Sequence, residues 1–416
     1  MDYINEKLTK LKYKEITPIQ KEFFLKLKDK QNIVGISKTG TGKTHAYLLP
    51  ILAKIQKDKD ELQFMIVVPT NELVFQVTKM IQEVDGDFNV ASYFGGIDKQ
   101  KEINKLSKRQ PQILVSIPNK ILEFSVYNNA LKIHTARFVC FDEADMMFDE
   151  SFMREVDLFI DRISKATFIM MSATIKPNME PFIKKYFGNY LLIDKSEETK
   201  LNINYHLIKL RSRTKIEGLD VLLEEINPYL CLIFVSKKED QKPIFEHLLE
   251  KKYQVLNYSS NTPIKVRKRL IDDIVMGKYQ YVVVSDLVAR GVDFKASDII
   301  HFDLPSNMEF FYHRSGRTGR MNQSGNVYVL EKETDNRKID SIKKSGIKFI
   351  EYVIDGSSLK KMERKKKNNS EIIEAIQRVK KPTKIAPNYK KKNKKRIEKI
   401  KKELRRDEYA KNRKSR

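Results

Sequence analysis

One segment of the chain, residues 37–44, has the composition and spacing of a loop that binds phosphate. An apolar run, 33–36, precedes it and a helix-like stretch, 46–49, follows it, which is the context such a loop requires. Glycines let backbone N–H groups turn toward a phosphate, and the helix N-terminus and a lysine add positive charge. The residues predicted to hold the nucleotide are Ser37, Lys38, Thr39, Gly40, Thr41, Gly42, Lys43 and Thr44.

Thr44 is also placed to hold Mg²⁺, and a later four-residue segment offers three carboxylates for the same ion. Asp142–Asp145 follow a short apolar run, 137–141, which reads as a buried strand. Ligands bind at the carboxyl ends of such strands. We expect Asp142 to hold Mg²⁺ through water and Glu143 to orient and deprotonate the attacking water. A solvated acidic turn is the plainer alternative, but the position after a phosphate loop disfavours it.

A third segment, residues 313–320, contains three arginines and two glycines in eight residues. Such charge density often marks a solvated surface, but interleaved glycines let guanidinium groups approach a phosphoryl group closely. Arg317 and Arg320 are predicted arginine fingers. Because they are far from Lys43 in sequence, the nucleotide is expected to bind between two domains, with hydrolysis coupled to domain closure.

Together these segments resemble those of the DEAD-box ATP-dependent RNA helicases of superfamily two, of the short bacterial cold-shock-like type, over roughly residues 3–335. The first residue of the phosphate segment, Ser in place of the usual Gly, is typical of a helicase variant. The resemblance implies that Gln20 contacts adenine and Asp293 contacts ribose. It further implies a set of residues that couple hydrolysis to strand separation: Ser172, Thr174, Asp145 and His313.

The resemblance also implies a surface that contacts RNA through its backbone and 2′-hydroxyls. Two departures weaken it: Asn71 stands where the family usually has Arg, and Asn119-Lys120 replaces Gly-Arg. We therefore expect weaker RNA binding by the first domain. An adenine-stacking aromatic is either absent or replaced by Tyr3. The residues expected at RNA are Pro69, Thr70, Glu72, Gly95, Gly96, Ser116, Pro118, Arg267, Ser285 and Asp286.

Composition predicts the architecture around these segments. With 416 residues and 41% hydrophobic content, the chain can bury two cores, and its strand-like and helix-like stretches alternate. The predicted fold class is α/β, with two tandem RecA-like domains built on parallel sheets and a basic tail that is disordered or a lone helix on RNA. The boundaries are 1–196, a hinge at 197–204, 205–356 and a tail at 357–416. Predicted strands are 33–36, 65–68, 113–116, 138–141 and 168–171, then 230–235, 254–256, 281–284, 299–302 and 327–330.

Most of the positive charge lies at the C-terminal end. The net charge is +25, and residues 359–416 contain 25 Lys or Arg against 7 Asp or Glu. Such a tail would bind RNA without sequence preference, with a salt slope of about 0.7 per neutralised phosphate. A solubilising tail is the alternative. Cys140 and Cys231 fall in predicted strands, so we expect core residues in a reducing compartment and a cytoplasmic protein without a membrane span.

The leading hypothesis is an RNA-stimulated ATPase that uses ATP and Mg²⁺ to unwind or remodel RNA. Its expected partner is single-stranded or short duplex RNA, such as ribosomal precursors or substrates of RNA-decay machinery. A nucleotide-regulated RNA clamp or assembly scaffold with little unwinding is one alternative, although the intact catalytic segments disfavour it. A DNA-directed helicase is another, and a comparison of DNA with RNA as ATPase stimulators would decide.

Overall fold

The computed structural model describes residues 2–13, 15–28, 31–148, 150–163, 165–198, 201–285, 294–319 and 324–362. Residues up to Lys360 form one compact unit that contains two separate sheets. We call residues 2–198 the first lobe and residues 201–362 the second lobe. The α/β fold class with parallel sheets, predicted from the sequence, is confirmed.

The first lobe contains a seven-stranded parallel sheet in the order β3-β4-β2-β5-β6-β1-β7. Its central strands are short apolar runs buried on both faces, as expected when helices cover both sides of a parallel sheet. The seven strands are β1 Asn32–Ile36, β2 Phe64–Val67, β3 Val90–Tyr93, β4 Ile113–Ser116, β5 Phe138–Phe141, β6 Thr167–Ser172 and β7 Tyr190–Asp194.

Two apolar clusters, one on each face of this sheet, form the core of the first lobe. Two of the helices that cover it have N-terminal side-chain caps, from Thr70 and Asp98. Thr70, for example, caps α4 by accepting a hydrogen bond from the Leu73 N–H at 3.3 Å. The α-helices are α1 Asp2–Lys10, α2 Pro18–Lys26, α3 Lys43–Leu52, α4 Asn71–Val84, α5 Lys99–Lys108, α6 Pro118–Ile121, α7 Glu150–Ile160 and α8 Glu180–Phe182.

The second lobe contains an eight-stranded sheet in the order β10-β11-β9-β12-β13-β8-β14-β15. Its last strand begins within the segment predicted as tail, and Leu359 in that strand donates its N–H to Glu225 Oε1 at 3.3 Å. The remainder of the predicted tail, residues 363–416, lies outside the described residues. The strands are β8 Ile203–Lys209, β9 Cys231–Phe234, β10 Val255–Tyr258, β11 Tyr281–Val284, β12 Asp298–His301, β13 Gly325–Glu331, β14 Phe349–Asp355 and β15 Ser358–Lys361.

The helices of the second lobe lie between these strands. The first of them has a capping box, in which Thr214 and Glu217 each accept a backbone hydrogen bond from the other. No helix in the described part of the chain is long and apolar enough to span a membrane. The helices are α9 Lys215–Glu225, α10 Lys238–Glu250, α11 Ile264–Val275, α12 Glu309–Ser315 and α13 Asn336–Lys344.

Candidate active site

The phosphate loop, residues 37–44, connects β1 to α3, as the sequence predicted. Gly40 and Gly42 have φ of 85° and 82°, which is the left-handed region. A Cβ atom at Gly42 would also lie 2.5 Å from the Gln20 amide nitrogen. Both the backbone conformation and the close approach of Gln20 therefore require glycine at position 42.

The Lys43 ammonium group lies inside this loop. Its Nζ atom donates to the carbonyl oxygens of Ser37 at 3.0 Å and Lys38 at 3.4 Å, and it lies 3.8 Å from Glu143 Oε2. The Thr41 hydroxyl lies 2.8 Å from the Ser37 hydroxyl and donates to the Lys38 carbonyl. The loop is thus held in shape around a buried cation.

Asp142 is a buried carboxylate at the end of β5. Its Oδ2 atom accepts hydrogen bonds from the Tyr47 hydroxyl at 2.8 Å and the Thr44 hydroxyl at 3.1 Å, and its Oδ1 atom accepts from the Glu143 N–H. Burial, helped by the neighbouring Glu143 charge, raises the pKa of Asp142 to about 6, even though Lys43 acts to lower it. The site therefore has negative charge that the protein only partly compensates.

These oxygens fit a hard divalent cation. A carboxylate and a hydroxyl, Asp142 and Thr44, lie together, and Mg²⁺ prefers oxygen ligands of this kind. Glu143 Oε2 is buried and has no hydrogen-bond partner among the described residues. Glu143 also has a φ of 53°, so that its backbone departs from ordinary strand geometry where the acidic segment, residues 142–145, begins.

Residues of the second lobe reach this site. His313 Nδ1 lies 3.1 Å from the Thr39 hydroxyl of the phosphate loop, and His313 Nε2 lies 3.6 Å from Asp145 Oδ2. Arg317 is buried, which lowers its pKa, while the Glu143 carboxylate acts in the opposite direction. The structure thus brings together His313 and Arg317 with the acidic segment and the phosphate loop.

Ser172 and Thr174, predicted to couple hydrolysis to unwinding, lie beside the acidic segment. The Ser172 hydroxyl accepts a hydrogen bond from the Asp145 N–H at 3.2 Å and donates to the Thr174 carbonyl at 2.6 Å. Burial acts to raise the pKa of Asp145, but His313, Lys43 and Lys176 together lower it. The lowered pKa means that Asp145 is a charged carboxylate beside these three side chains.

Gln20, which the resemblance implies contacts adenine, lies in the first turn of α2 with its side chain against the N-terminus of α3. Its amide donates to the Gly42 carbonyl at 3.2 Å and its Oε1 atom accepts from the Thr17 N–H at 3.0 Å. Tyr3, the suggested stacking residue, instead donates its hydroxyl hydrogen bond to Asp85 at 3.3 Å. Another aromatic lies nearer to Gln20: the Tyr13 hydroxyl faces the Gln20 side chain and lies 2.8 Å from His45 Nδ1.

The residues predicted to contact RNA in the first lobe follow the carboxyl ends of three neighbouring strands. Pro69, Thr70 and Glu72 follow β2, Gly95 and Gly96 follow β3, and Ser116 and Pro118 lie at the end of β4. Asn71, the departure from the family pattern, accepts a hydrogen bond from the Gly95 N–H at 2.8 Å. Its side chain therefore joins two of the three segments.

Two residues predicted to contact RNA, Glu72 and Arg267, contact each other. Arg267 Nη1 in α11 donates to Glu72 Oε1 in α4, and both side chains are buried. Burial raises the pKa of Glu72, although Arg267 acts to lower it. This ion pair joins the lobes in the structure.

Three predicted site residues lie outside the described residues: Asp286, Asp293 and Arg320. Ser285 is described and follows the end of β11.

The structure also adds residues that the sequence did not indicate. Tyr47 donates to Asp142, and its spacing from Thr44, one helical turn, was an available signal. His45 contacts Tyr13, and burial lowers the pKa of His45 to about 4. Lys176 and Glu309 form a contact between the lobes that no local sequence pattern indicates.

Comparisons with known proteins agree with this geometry. The DEAD/DEAH box helicase family matches residues 17–182, and the helicase conserved C-terminal domain matches residues 214–322. The chain is similar to the DEAD-box ATP-dependent RNA helicase CshB of Bacillus subtilis (strain 168), with 35% identity across 98% of this chain and 97% of the relative. It is 32% identical to CshB of Listeria monocytogenes, across 97% and 96% of the two chains.

Solved structures show the same two-lobed fold. Saccharomyces cerevisiae Dbp5 bound to RNA and ADP BeF3 has a TM-score of 0.74 at 19% identity, covering 92% of this chain and 98% of its own. Mss116p bound to ssRNA and AMP-PNP has a TM-score of 0.74 at 19% identity, covering 91% and 83%. These likenesses confirm the tandem RecA-like fold. With both family segments matched and curated relatives aligned over nearly their whole length, the chain belongs to the DEAD-box ATP-dependent RNA helicases, which hydrolyse ATP to remodel RNA.

Proposed function

We propose that this helicase hydrolyses ATP in the cleft between its two lobes, with the residues of the candidate active site in the roles that their contacts suggest. One observation carries the proposal: second-lobe residues His313 and Arg317 reach the phosphate loop and the acidic segment of the first lobe. A site composed of both lobes is complete only when the lobes are together. Hydrolysis is therefore tied to closure.

The first lobe binds ATP and activates the attacking water. Lys43 exchanges its contacts with the Ser37 and Lys38 carbonyls for the phosphates of ATP. Thr44 and Asp142 would hold Mg²⁺, which would supply positive charge to neutralise the phosphates. Glu143 accepts a hydrogen bond from the attacking water and takes its proton as the water oxygen bonds to the γ phosphorus. Gln20 recognises adenine, and Asp293 contacts ribose from the second lobe.

The second lobe stabilises the charge that develops. Arg317 is buried beside Glu143, where its guanidinium group would face the γ phosphate. Arg320, which lies outside the described residues, is the second proposed arginine finger. ADP then leaves with the bridging oxygen and the displaced phosphoryl group leaves as inorganic phosphate. Removal of such an arginine from a phosphoryl-transfer site costs roughly 10³ to 10⁵ in rate.

RNA is the proposed second ligand of the closed state. The carboxyl ends of β2, β3 and β4 give a continuous edge of residues for one RNA strand, and the solved relatives Dbp5 and Mss116p hold RNA together with an ATP analogue. Both ligands favour closure, so each raises the affinity for the other. Bending of the bound strand on closure would then separate a short duplex. The protein would contact the strand through its backbone and 2′-hydroxyls, so that binding does not depend on base sequence.

We further propose the RNA substrates and the cellular location of the protein. Ribosomal precursors and substrates of RNA decay are structured RNAs of the kind this activity would remodel. Two buried, free cysteines suit a reducing compartment, which supports a cytoplasmic location.

The test is steady-state ATP hydrolysis with no nucleic acid, with single-stranded RNA and with DNA of the same sequence. The wild-type protein is compared with Glu143→Gln, and Glu61→Gln is the matched control because Glu61 is a partly exposed carboxylate that lies 3.8 Å from Lys59. We expect RNA to stimulate the wild type and Glu61→Gln equally, and Glu143→Gln to lose at least about 10² in rate, within the range for a general base.

Other outcomes would overturn the proposal. RNA binding with ATP but without hydrolysis would indicate a nucleotide-regulated clamp. Equal stimulation by DNA would contradict the RNA preference. Full activity in Glu143→Gln would remove Glu143 from its proposed role.

A further inference from the structure

Lys176 lies at a junction between the acidic segment and the second lobe. It follows Thr174 by two residues, in the loop after β6. Its Nζ atom donates to the Asp145 carbonyl oxygen at 2.8 Å and lies 2.6 Å from Glu309 Oε2 of α12. One ammonium group therefore contacts the backbone of the acidic segment and a carboxylate of the opposite lobe.

Glu309 and His313 lie on the same face of α12. They are four residues apart, and residues at that spacing project from one side of a helix. His313 contacts the Asp145 side chain and Thr39, whereas Glu309 contacts Lys176. Two side chains one helical turn apart thus attach α12 to the first lobe. His313 contacts Asp145 directly, and Glu309 contacts it through Lys176.

Asp145 in turn contacts the segment predicted to couple hydrolysis to unwinding. Its N–H donates to the Ser172 hydroxyl, and Ser172 donates to the Thr174 carbonyl. Lys176 is the next charged residue along the chain after that segment. A movement of α12 would consequently be transmitted to Asp145 and to the 172–176 segment together.

We propose that Lys176 is a positioning residue that joins closure of the lobes to the state of the ATP site, through its simultaneous contacts with Asp145 and Glu309. The inference rests on the proposed function, because it concerns the coupling of ATP and RNA binding. In this role Lys176 and Glu309 contact neither ATP nor RNA. They act by stabilising the closed arrangement, in which α12 lies against the acidic segment.

The expected loss of coupling in each variant follows from the solvent exposure of the two side chains. The Lys176 and Glu309 side chains are 26% and 36% exposed, so their attraction is partly screened and modest. The bond from Lys176 to the buried Asp145 carbonyl is charge-assisted and stronger. We therefore expect Lys176→Ala to lower the coupling between ATP and RNA about tenfold and Glu309→Ala about threefold.

The experiment measures the dissociation constant of a labelled single-stranded oligouridylate with and without Mg²⁺ and AMP-PNP. The ratio of the two constants is the coupling, and a local structural defect would not change it selectively. The variants are Lys176→Ala, Glu309→Ala, the double variant and Lys176→Arg. The matched control is Lys209→Ala, because Lys209 pairs with Glu351 at 2.8 Å with similar exposure but wholly within the second lobe.

Support requires three results. Lys176→Ala lowers the ratio, the double variant equals Lys176→Ala because both changes break one linkage, and Lys176→Arg restores most of the ratio. Lys209→Ala leaves the ratio at the wild-type value.

Three outcomes overturn the inference and are distinguishable. If the wild type shows coupling and Lys176→Ala does not change it, the role of Lys176 is refuted while the proposed function stands. A double variant whose loss of coupling is the product of the two single losses would refute that role in the same way. A wild-type ratio near one would refute both this inference and the proposed function.

Discussion

At the scale of single residues, Asp142 is a buried carboxylate whose negative charge is only partly compensated. The carboxylate is 1% exposed and accepts hydrogen bonds from Tyr47, Thr44 and the Glu143 N–H. Those bonds satisfy its oxygens but do not neutralise its charge, and burial therefore raises its pKa to about 6. A carboxylate in this state gains more from a bound divalent cation than a solvated one would.

We predict that Asp142→Asn stabilises the cation-free protein at pH 8. A raised folded-state pKa means that the folded protein holds the proton more tightly than the unfolded chain, so the Asp142 contribution to stability falls as pH rises from about 4 through 6. Asn resembles the protonated form, and the gain at pH 8 should be about 3 kcal/mol. Denaturant unfolding in EDTA at pH 4 and pH 8 measures it.

The gain in stability of Asp142→Asn over the wild type should shrink toward pH 4, where position 142 is uncharged in both folded proteins. Addition of Mg²⁺ with ADP should stabilise the wild type and not the variant. A variant that is equally destabilised at both pH values would contradict this account of Asp142.

At the scale of elements, sequence patterns predicted the buried central strands and the edge strand β10 but missed β3, β7, β8, β14 and β15. Strands β2, β4 and β5 are continuous apolar runs, and the predicted ranges agree within one residue. Strands β3 and β14 are only partly buried and carry polar residues, so no apolar run marks them.

The same distinction applies to the site. Lys43, Asp142 and Glu143 lie next to such apolar runs, and local sequence was enough to place them. The contacts of Lys176 with Glu309 and of Arg267 with Glu72 depend on how the two lobes pack, which no short segment encodes. Asn71 could be recognised as a departure, but its bond to the Gly95 N–H could not be predicted.

The arginine loop, residues 316–319, depends on the strands behind it. Thr318 donates its hydroxyl hydrogen bond to the Ser297 carbonyl at 2.9 Å, before β12. Gly325 at the start of β13 packs so closely that an added Cβ would lie 2.0 Å from Thr318 Oγ1 and 2.5 Å from the Gly319 nitrogen. The position of Arg317 therefore depends on a glycine of the neighbouring strand.

We predict that Gly325→Ala lowers the RNA-stimulated kcat by about tenfold or more, because a displacement of about 1 Å in a catalytic group has effects of this order. Gly86→Ala is the control, since its added Cβ would meet only the Gln82 carbonyl oxygen at an ordinary 3.7 Å. ATPase assays at saturating RNA measure the effect. Unchanged kcat in Gly325→Ala would mean that the loop adjusts without moving Arg317.

At the scale of the whole molecule, α4 and α11 join the lobes through a buried ion pair. The Arg267 guanidinium group contacts the Glu72 carboxylate, and nearby Lys79 and Asp272 lie 3.7 Å apart. Loss of one member of a buried pair leaves the other charge without a partner, which costs about 3 to 5 kcal/mol. Separation of the lobes would let that charge regain water.

Arg267→Met should therefore open the lobes more than it unfolds either of them. Small-angle X-ray scattering is expected to show a larger radius of gyration, while the circular dichroism signal stays native. Glu72→Gln combined with Arg267→Met should return the radius toward the wild-type value, because no buried charge remains. A double variant as open as Arg267→Met would contradict the role of the unpaired carboxylate.

The end of the second sheet fixes where the basic tail can be removed. Strand β15 reaches Lys361, and Leu359 contacts Glu225, so a truncation must follow Met362. We predict that removal of residues 363–416 preserves kcat at saturating RNA, raises the RNA concentration needed for half-stimulation and reduces the dependence on salt. Titrations at two salt concentrations measure this. An unchanged salt dependence would favour the solubilising alternative.

The two cysteines have a practical consequence for chemical reactivity. Cys140 in β5 and Cys231 in β9 are fully buried, and burial raises the pKa of each thiol well above its ordinary value. The thiolate is the nucleophile that attacks alkylating reagents and oxidants, and a buried thiol with a raised pKa forms little of it, so the native protein should resist alkylation and mild oxidants. Cysteines introduced on the surface of each lobe would consequently accept fluorophores selectively, and energy transfer between them would follow opening and closing during turnover without removal of any native residue.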